Sequence, residues 1–338
     1  IINLNFSKLK KEESIDLETI KLVKGFLEKK EQVLFFLNRR GYAPFMICKN
    51  CGFKHACPNC SIYLTYHKSI NTLTCHHCGF QTQKERNCNV KEKLCDFSMY
   101  GLGVEKIYDE LKKKFPKNII KIFSSDFLKK KQSQNILTQI EENKVDILIG
   151  TQMISKGFNF PKLNCIVVVD ADFSGKGHDL RSTEKNIQLY NQLSGRAGRF
   201  SKDSIIIYQT INPDNQILKN ILENNIENFF TNELKIRKEN NLPPFCRLIS
   251  LIISSHSKEN SYRGALEIKK KIERLNDIQI LGPVDSPIFK KNKKFRTRLL
   301  VRSESKNMCQ KSLSKVLENL KISSKIKLTV DVDPINFT

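Results

Sequence analysis

No apolar run in the 338 residues approaches the roughly 18–20 that a membrane span requires. The opening decapeptide IINLNFSKLK has neither the apolar centre nor the cleavage site of a secretory signal. The expected setting is therefore a reducing cytoplasm, with no membrane partner. Acidic residues are scarce, 35 Asp+Glu against 58 Lys+Arg, and the resulting net charge of +23 favours a polyanion, most commonly nucleic acid. There is no G-x-x-x-x-G-K-[ST] loop, since Gly175-Lys176 is followed by Gly177. There is no D-E-x-H stretch either, since Asp109-Glu110 runs into Leu111-Lys112. Lacking the phosphate-cradling lysine and the Mg²⁺-holding acid, these 338 residues alone are expected to hydrolyse no ATP. A serine-nucleophile elbow, a recurring carboxylate pair and internal repeats are missing too. The first residue is Ile, not Met, so the sequence reads as part of something longer. What is present is ample for packing: 39% hydrophobic residues with 21 Phe exclude wholesale disorder, and the length suits two or three domains.

Eleven cysteines form an odd set, and eight crowd between positions 48 and 95. Without a secretory signal, such clustering reads as metal ligation instead of disulfides. The order is Cys48-x2-Cys51, Cys57-x2-Cys60, Cys75-x2-Cys78, then Cys88 and Cys95, with Gly52, Pro58 and Gly79 in or beside the turns. A two-residue gap lets one tight knuckle aim both thiolates at a single zinc, and two knuckles complete a tetrahedral four-sulfur site. Cys88 departs from the pattern, because Asn89, Val90 and Lys91 follow it. The spacing leaves three solutions open: Cys95 through a longer loop, a nitrogen from His55, His76 or His77, or an incomplete site. His67 lacks ligand spacing and reads as a surface residue. Cys165, Cys246 and Cys309 stand in apolar or helical contexts and read as inert buried thiols.

Periodicity places helices over 17–30, 104–115, 127–143, 184–194 and 216–238. Buried strands are expected at QVLFFLN, NIIKIF, VDILIG, LNCIVVVDAD and SIIIYQT. Alternating helices and continuous apolar strands mean an α/β domain with a parallel sheet covered on both faces, residues 1–47 and 99–241, into which the cysteine module 48–98 is inserted. Leu242-Pro243-Pro244 marks a boundary. Beyond it the order strand, helix, strand, strand, helix, strand over 242–338 predicts a small α+β domain of the ferredoxin-like split β-α-β type.

Two motifs carry chemistry. The octapeptide QLSGRAGR, 192–199, sets two arginines three apart beyond a helix end, and such guanidiniums grip a nucleotide's γ-phosphate as fingers. Arg199 is the first choice for the finger, with Arg196 beside it and Gln192 and Gly195 near the nucleotide. Gly150-Thr151, followed by Lys156-Gly157, lies at the carboxyl end of the strand VDILIG, where α/β sheets bind ligands. This loop is expected to couple nucleotide state to a nucleic-acid track. Among the basic runs, 290–298 is the best candidate for DNA phosphate contact, with Phe295 available for stacking.

With the strand at 33–37 and NRRGY after it, these features resemble the second, RecA-like motor lobe of a superfamily 2 helicase. FLNRRGYAP running straight into paired-cysteine knuckles, GTQMISKGFNFP, DLRSTE, QLSGRAGR, LPPF, LGPV and the closing DVDP together resemble the primosomal protein N′ (PriA) family of bacterial replication-restart helicases, in order and over essentially the whole chain. The resemblance implies ATP- and Mg²⁺-driven 3′→5′ unwinding of forked DNA, a nucleoid-associated setting, and partnership with primosome, helicase-loading and single-stranded-DNA-binding proteins. It places the ATP-binding first lobe before Ile1. It also implies two zinc ions: Cys57, Cys60, Cys75 and Cys78 hold one, while Cys48, Cys51, Cys88 and Cys95 hold the other. Two rival readings are a zinc-stabilised nucleic-acid adaptor that never hydrolyses ATP, and another superfamily 2 helicase with a zinc insert.

Overall fold

The structure is a computed structural model that describes residues 2–5, 13–37, 45–48, 51–67, 71–83, 97–100, 103–123, 130–151, 160–172, 180–195, 204–223, 225–275, 278–304, 308–335 and 337. The chain divides into two compact units. One comprises Ile1–Pro44, Gly101–Gly177 and Arg181–Phe229; the other comprises Phe45–Tyr100, His178–Leu180 and Phe230–Thr338.

The first unit begins with β1 (Ile2–Asn5), α1 (Leu17–Glu28) and β2 (Gln32–Phe36). The chain then enters the second unit through β3 (Phe45–Cys48), β4 (Thr65–His67), β5 (Thr72–Thr74), β6 (Gln81–Gln83) and β7 (Phe97–Tyr100). It returns with α2 (Val104–Lys114), β8 (Ile120–Phe123), α3 (Lys130–Glu141), β9 (Ile147–Gly150), β10 (Leu163–Val168), α4 (Ser182–Ser194), β11 (Ile205–Thr210) and α5 (Gln216–Leu222). Its sheet has six strands, all parallel, in the order β1-β11-β10-β2-β9-β8. Every residue of β2, β9 and β10 is buried, because side chains alternate between two covered faces. Leu34, Phe36, Leu148, Ile166, Val168 and Tyr208 face one core with α3, α4 and α5, while Val33, Phe35, Ile149, Cys165, Val167 and Ile207 face another with α1 and α2. Burying each such side chain contributes about 1.5–3 kcal/mol. Gln209 is fully buried and ties the segment before α1 to the sheet: its amide donates to the carbonyls of Ser14 and Val169, both at 3.1 Å, and its oxygen accepts from Asp16 N–H at 3.0 Å.

The helix expected over 216–238 is two helices, α5 and α6 (Ile226–Glu239). Asn225 breaks it, because its side-chain oxygen accepts from Asn228 N–H and opens a new helix as an N-cap. From Phe230 onward, α6 belongs to the second unit.

That unit continues with β12 (Arg247–Ser255), α7 (Lys258–Ile272), β13 (Gln279–Lys291), β14 (Lys294–Ser303), α8 (Met308–Glu318) and β15 (Ile326–Val332). These strands form an antiparallel sheet in the order β13-β14-β12-β15, the arrangement of a split β-α-β fold. Leu251, Ile253, Leu299 and Val301 pack beneath Ala265 and Ile268 of α7 and Leu313 of α8. In the cysteine-rich part, β3 pairs antiparallel with β7, and β4, β5 and β6 form a separate three-stranded sheet.

Candidate metal centre and strand-end site

Each cysteine pair occupies a tight turn built by the same local hydrogen bonds. Cys48 N–H donates to Phe53 O at 2.9 Å, Cys57 N–H to Ile62 O at 2.9 Å and Cys75 N–H to Phe80 O at 2.8 Å, five residues on in every case. Two turns close further, with Gly52 N–H donating to Cys48 O at 2.8 Å and Gly79 N–H to Cys75 O at 2.9 Å. Both glycines have positive φ, +72° and +76°, a conformation that side chains rarely adopt.

The second and third knuckles converge. The sulfurs of Cys57, Cys60, Cys75 and Cys78 all lie within 4.8 Å of one another, and Cys57 and Cys78 are 3.6 Å apart. A tetrahedral zinc with Zn–S bonds of about 2.3 Å separates its sulfurs by about 3.8 Å, so the donor set and spacing fit zinc. Four thiolates leave no open position, which makes the site structural. Leu64, Leu73 and Met46 pack around the buried cysteines. Burial drives the Cys57 thiol up to about 12, against the lowering effect of Asn59 N–H. At Cys78 the opposing effect of burial is outweighed by Phe80 N–H and the neighbouring thiols, and the value falls to about 7.

Among the described residues this is the one group of three or more convergent metal-ligating side chains. Cys48 is buried and Cys51 exposed on the first knuckle; Cys88 and Cys95 lie outside the described residues. His55, His76 and His77, weighed as ligands for the irregular site with Cys88, are not among the four converging side chains. His55 stacks with Phe97 at 5.0 Å, and His67 lies against His76 at 5.2 Å, half-buried rather than on the open surface. Cys165 and Cys246 are buried thiols; Cys165 is pushed up to about 12 by burial, with Glu31 adding to the effect. Cys309's side chain falls outside the described set.

In the first unit, Gly150 ends β9 between Phe36 of β2 and Phe123 of β8, and Thr151 follows at the carboxyl edge. Gly150 is buried and its carbonyl accepts from Leu37 N–H at 2.9 Å. Gln192 is exposed in the last turn of α4, and Gly195 caps that helix with an ordinary φ of −69°. Two residues earlier, Tyr190 donates its hydroxyl to Ala171 O at 3.3 Å, just past the end of β10, which anchors this end of α4. Lys156, Gly157, Arg196 and Arg199 lie outside the described residues. At the same strand ends the sequence reading overlooked Asp172, whose carboxylate accepts from Thr210 Oγ1 at 2.5 Å and Ile211 N–H at 2.6 Å. Within the basic run, Lys291 and Lys293 are exposed, but Arg298 is 7% exposed and donates to Phe337 O.

The profile described as the helicase conserved C-terminal domain matches residues 80–201. A second profile, the PriA DNA helicase Cys-rich region domain, matches residues 57–82 and covers all four converging cysteines. Fold and site thus define a helicase C-terminal region carrying a zinc-binding insert. A third profile, the primosomal protein N C-terminal domain, matches residues 238–335. Replication restart protein PriA of Rickettsia conorii is 38% identical over 338 residues, 100% of this chain and 52% of the relative. The protein of the same name in Borreliella burgdorferi is 35% identical over 339 residues, 99% of this chain and 51% of the relative. The chain belongs to the PriA family, and it spans about half the length of the curated relatives it matches. Among solved structures, yeast Dbp5 bound to RNA and ADP BeF3 is 14% identical, covering 66% of this chain and 38% of that one, with a TM-score of 0.34.

Proposed function

We propose that the chain works as the second motor lobe, zinc module and C-terminal domain of an ATP-driven 3′→5′ DNA helicase for replication restart in the bacterial cytoplasm. The observation that carries this reading is the similarity over the entire chain to replication restart proteins, with the four converging cysteines inside the matched Cys-rich region. In this reading Arg199 and Arg196 contact the γ-phosphate of ATP·Mg²⁺ held by another lobe, with Gln192 and Gly195 beside it. Gly150, Thr151, Lys156 and Gly157 relay nucleotide state to the DNA. A second zinc is held by Cys48, Cys51, Cys88 and Cys95; the first knuckle's hydrogen bonds, which match those of the third, support this assignment. The working divisions are 1–47 with 99–241, 48–98 and 242–338. Partners are forked DNA, primosome and helicase-loading proteins and single-stranded-DNA-binding protein. The test is strand separation by the protein expressed from its complete reading frame, on a forked duplex with a 3′ single-stranded arm. ATP-dependent unwinding of DNA, and not of an equivalent RNA fork, is expected. Tight DNA binding without unwinding would overturn the motor assignment in favour of an adaptor.

A further inference from the structure

The two knuckles of the four-cysteine centre are not built alike. In the third, the turn closes on itself: Gly79 N–H returns to Cys75 O at 2.9 Å. In the second, Cys57 sulfur receives Asn59 N–H at 3.4 Å, but the turn does not close. Ser61 stands where the other knuckles have glycine, and its N–H leaves the turn to donate to Lys290 O at 2.9 Å. The backbone of Asn292, more than two hundred residues away in sequence, offsets part of the rise that burial gives the Cys60 thiol. Lys290 and Asn292 belong to the β13–β14 hairpin, whose turn residues Asn292 and Lys293 have φ of +52° and +64°, the two-residue turn suited to a twisted hairpin.

We propose that this hairpin is the missing half of the second knuckle, so that zinc retention and the seating of the C-terminal domain's hairpin are one coupled equilibrium. The proposal rests on zinc occupying the four-cysteine cluster. The contacts are reciprocal. Lys293 N–H donates to Asn59 O at 2.8 Å, Lys290 N–H to Ser61 Oγ at 3.1 Å and Lys290 Nζ to Pro58 O at 3.1 Å. All of them fall on the four-residue stretch 58–61, which lies between and beside two zinc ligands. Charge acts in the same direction, because four thiolates around a divalent cation form an anionic centre and the facing turn carries Lys290, Lys291, Lys293 and Lys294. An N–H donor to a ligating sulfur fixes that ligand's orientation and stabilises the charge it bears, and losing such outer-shell support typically costs about 10–100-fold in metal affinity. Lys290 and Lys293 therefore position the ligand-bearing stretch 58–61 from a different domain in sequence.

Two measurements test this on the 338-residue chain. In ¹⁵N-labelled protein loaded with ¹¹³Cd, amide protons hydrogen-bonded to metal-bound sulfur show scalar coupling to the metal. Correlations from Asn59, Phe80 and Asn292 are expected; those of Asn59 and Phe80 without that of Asn292 would overturn the proposal. Separately, Ser61→Ala and a Gly-Gly insertion between Asn292 and Lys293 should each speed zinc transfer to a chromogenic chelator, the insertion by about 10-fold or more. An insertion variant that is folded and releases zinc at the parental rate would refute the coupling. If the parental protein takes up no metal at Cys57, Cys60, Cys75 and Cys78, the zinc assignment itself falls, and with it the proposal.

Discussion

At the scale of single residues, the metal ligands and the buried thiols make opposite predictions. Cys57→Ala removes one of four sulfurs from a site with no spare ligand, and structural zinc supplies folding free energy directly, about 10–16 kcal/mol in zinc-finger peptides. The variant is expected to lose the zinc at that site and to be cut by protease within residues 48–98, while the parallel-sheet unit stays resistant. Full zinc content with parental protease resistance would contradict this. Cys165 is inert because burial keeps its thiol protonated and no other ligand converges on it among the described residues. Burial raises its pKa from 9.0 to about 12, so the folded chain holds that proton more tightly than the unfolded chain does. Its contribution to stability is present below pH 9 and is lost as pH rises toward 12. The urea midpoint should therefore fall between about pH 8 and pH 10, and fall less in Cys165→Val; equal falls would contradict it. Cysteine spacing was legible in the sequence because a knuckle is a local object, closed within six residues. The hairpin contacts to residues 58–61 were not, since no local pattern links a K-N-K turn to a cysteine knuckle so far away.

At the scale of elements, β13 is where sequence reading stopped short. The LGPV motif lies within β13, which runs from Gln279 to Lys291 with register shifts after Leu281 and Asp285. Gly282 permits the first irregularity. Its φ is +99°, and a Cβ there would stand 2.8 Å from Arg298 O of β14. Gly282→Ala is expected to destabilise the second unit by about 1–3 kcal/mol, read as a lowered denaturation midpoint; an unchanged midpoint would show that the strand yields without cost. The helices and parallel strands were legible as periodicity, because continuous burial on two faces leaves long apolar runs. The break at Asn225 and the four-residue edge strand β1 were not, since a capping side chain and a short strand paired only with β11 leave little periodic signal.

At the scale of the whole molecule, the order of motifs pointed to a parallel sheet and a split α+β domain, and both sheets are present; the profile matches cover residues 57–82, 80–201 and 238–335. The proposed nucleotide contact rests on Arg196 and Arg199, beyond the last described residue of α4, and there the sequence pattern stands alone. With +23 of net charge, nucleic-acid binding alone is weak evidence for a motor, because any such chain binds polyanions at low salt. Nucleotide turnover discriminates. The most direct measurement is DNA-stimulated ATP hydrolysis by the protein from its complete reading frame, with and without Arg199→Ala. The account predicts a loss of about 10³–10⁵-fold in turnover, with zinc content and forked-DNA binding unchanged. Turnover at the parental rate in Arg199→Ala would contradict it.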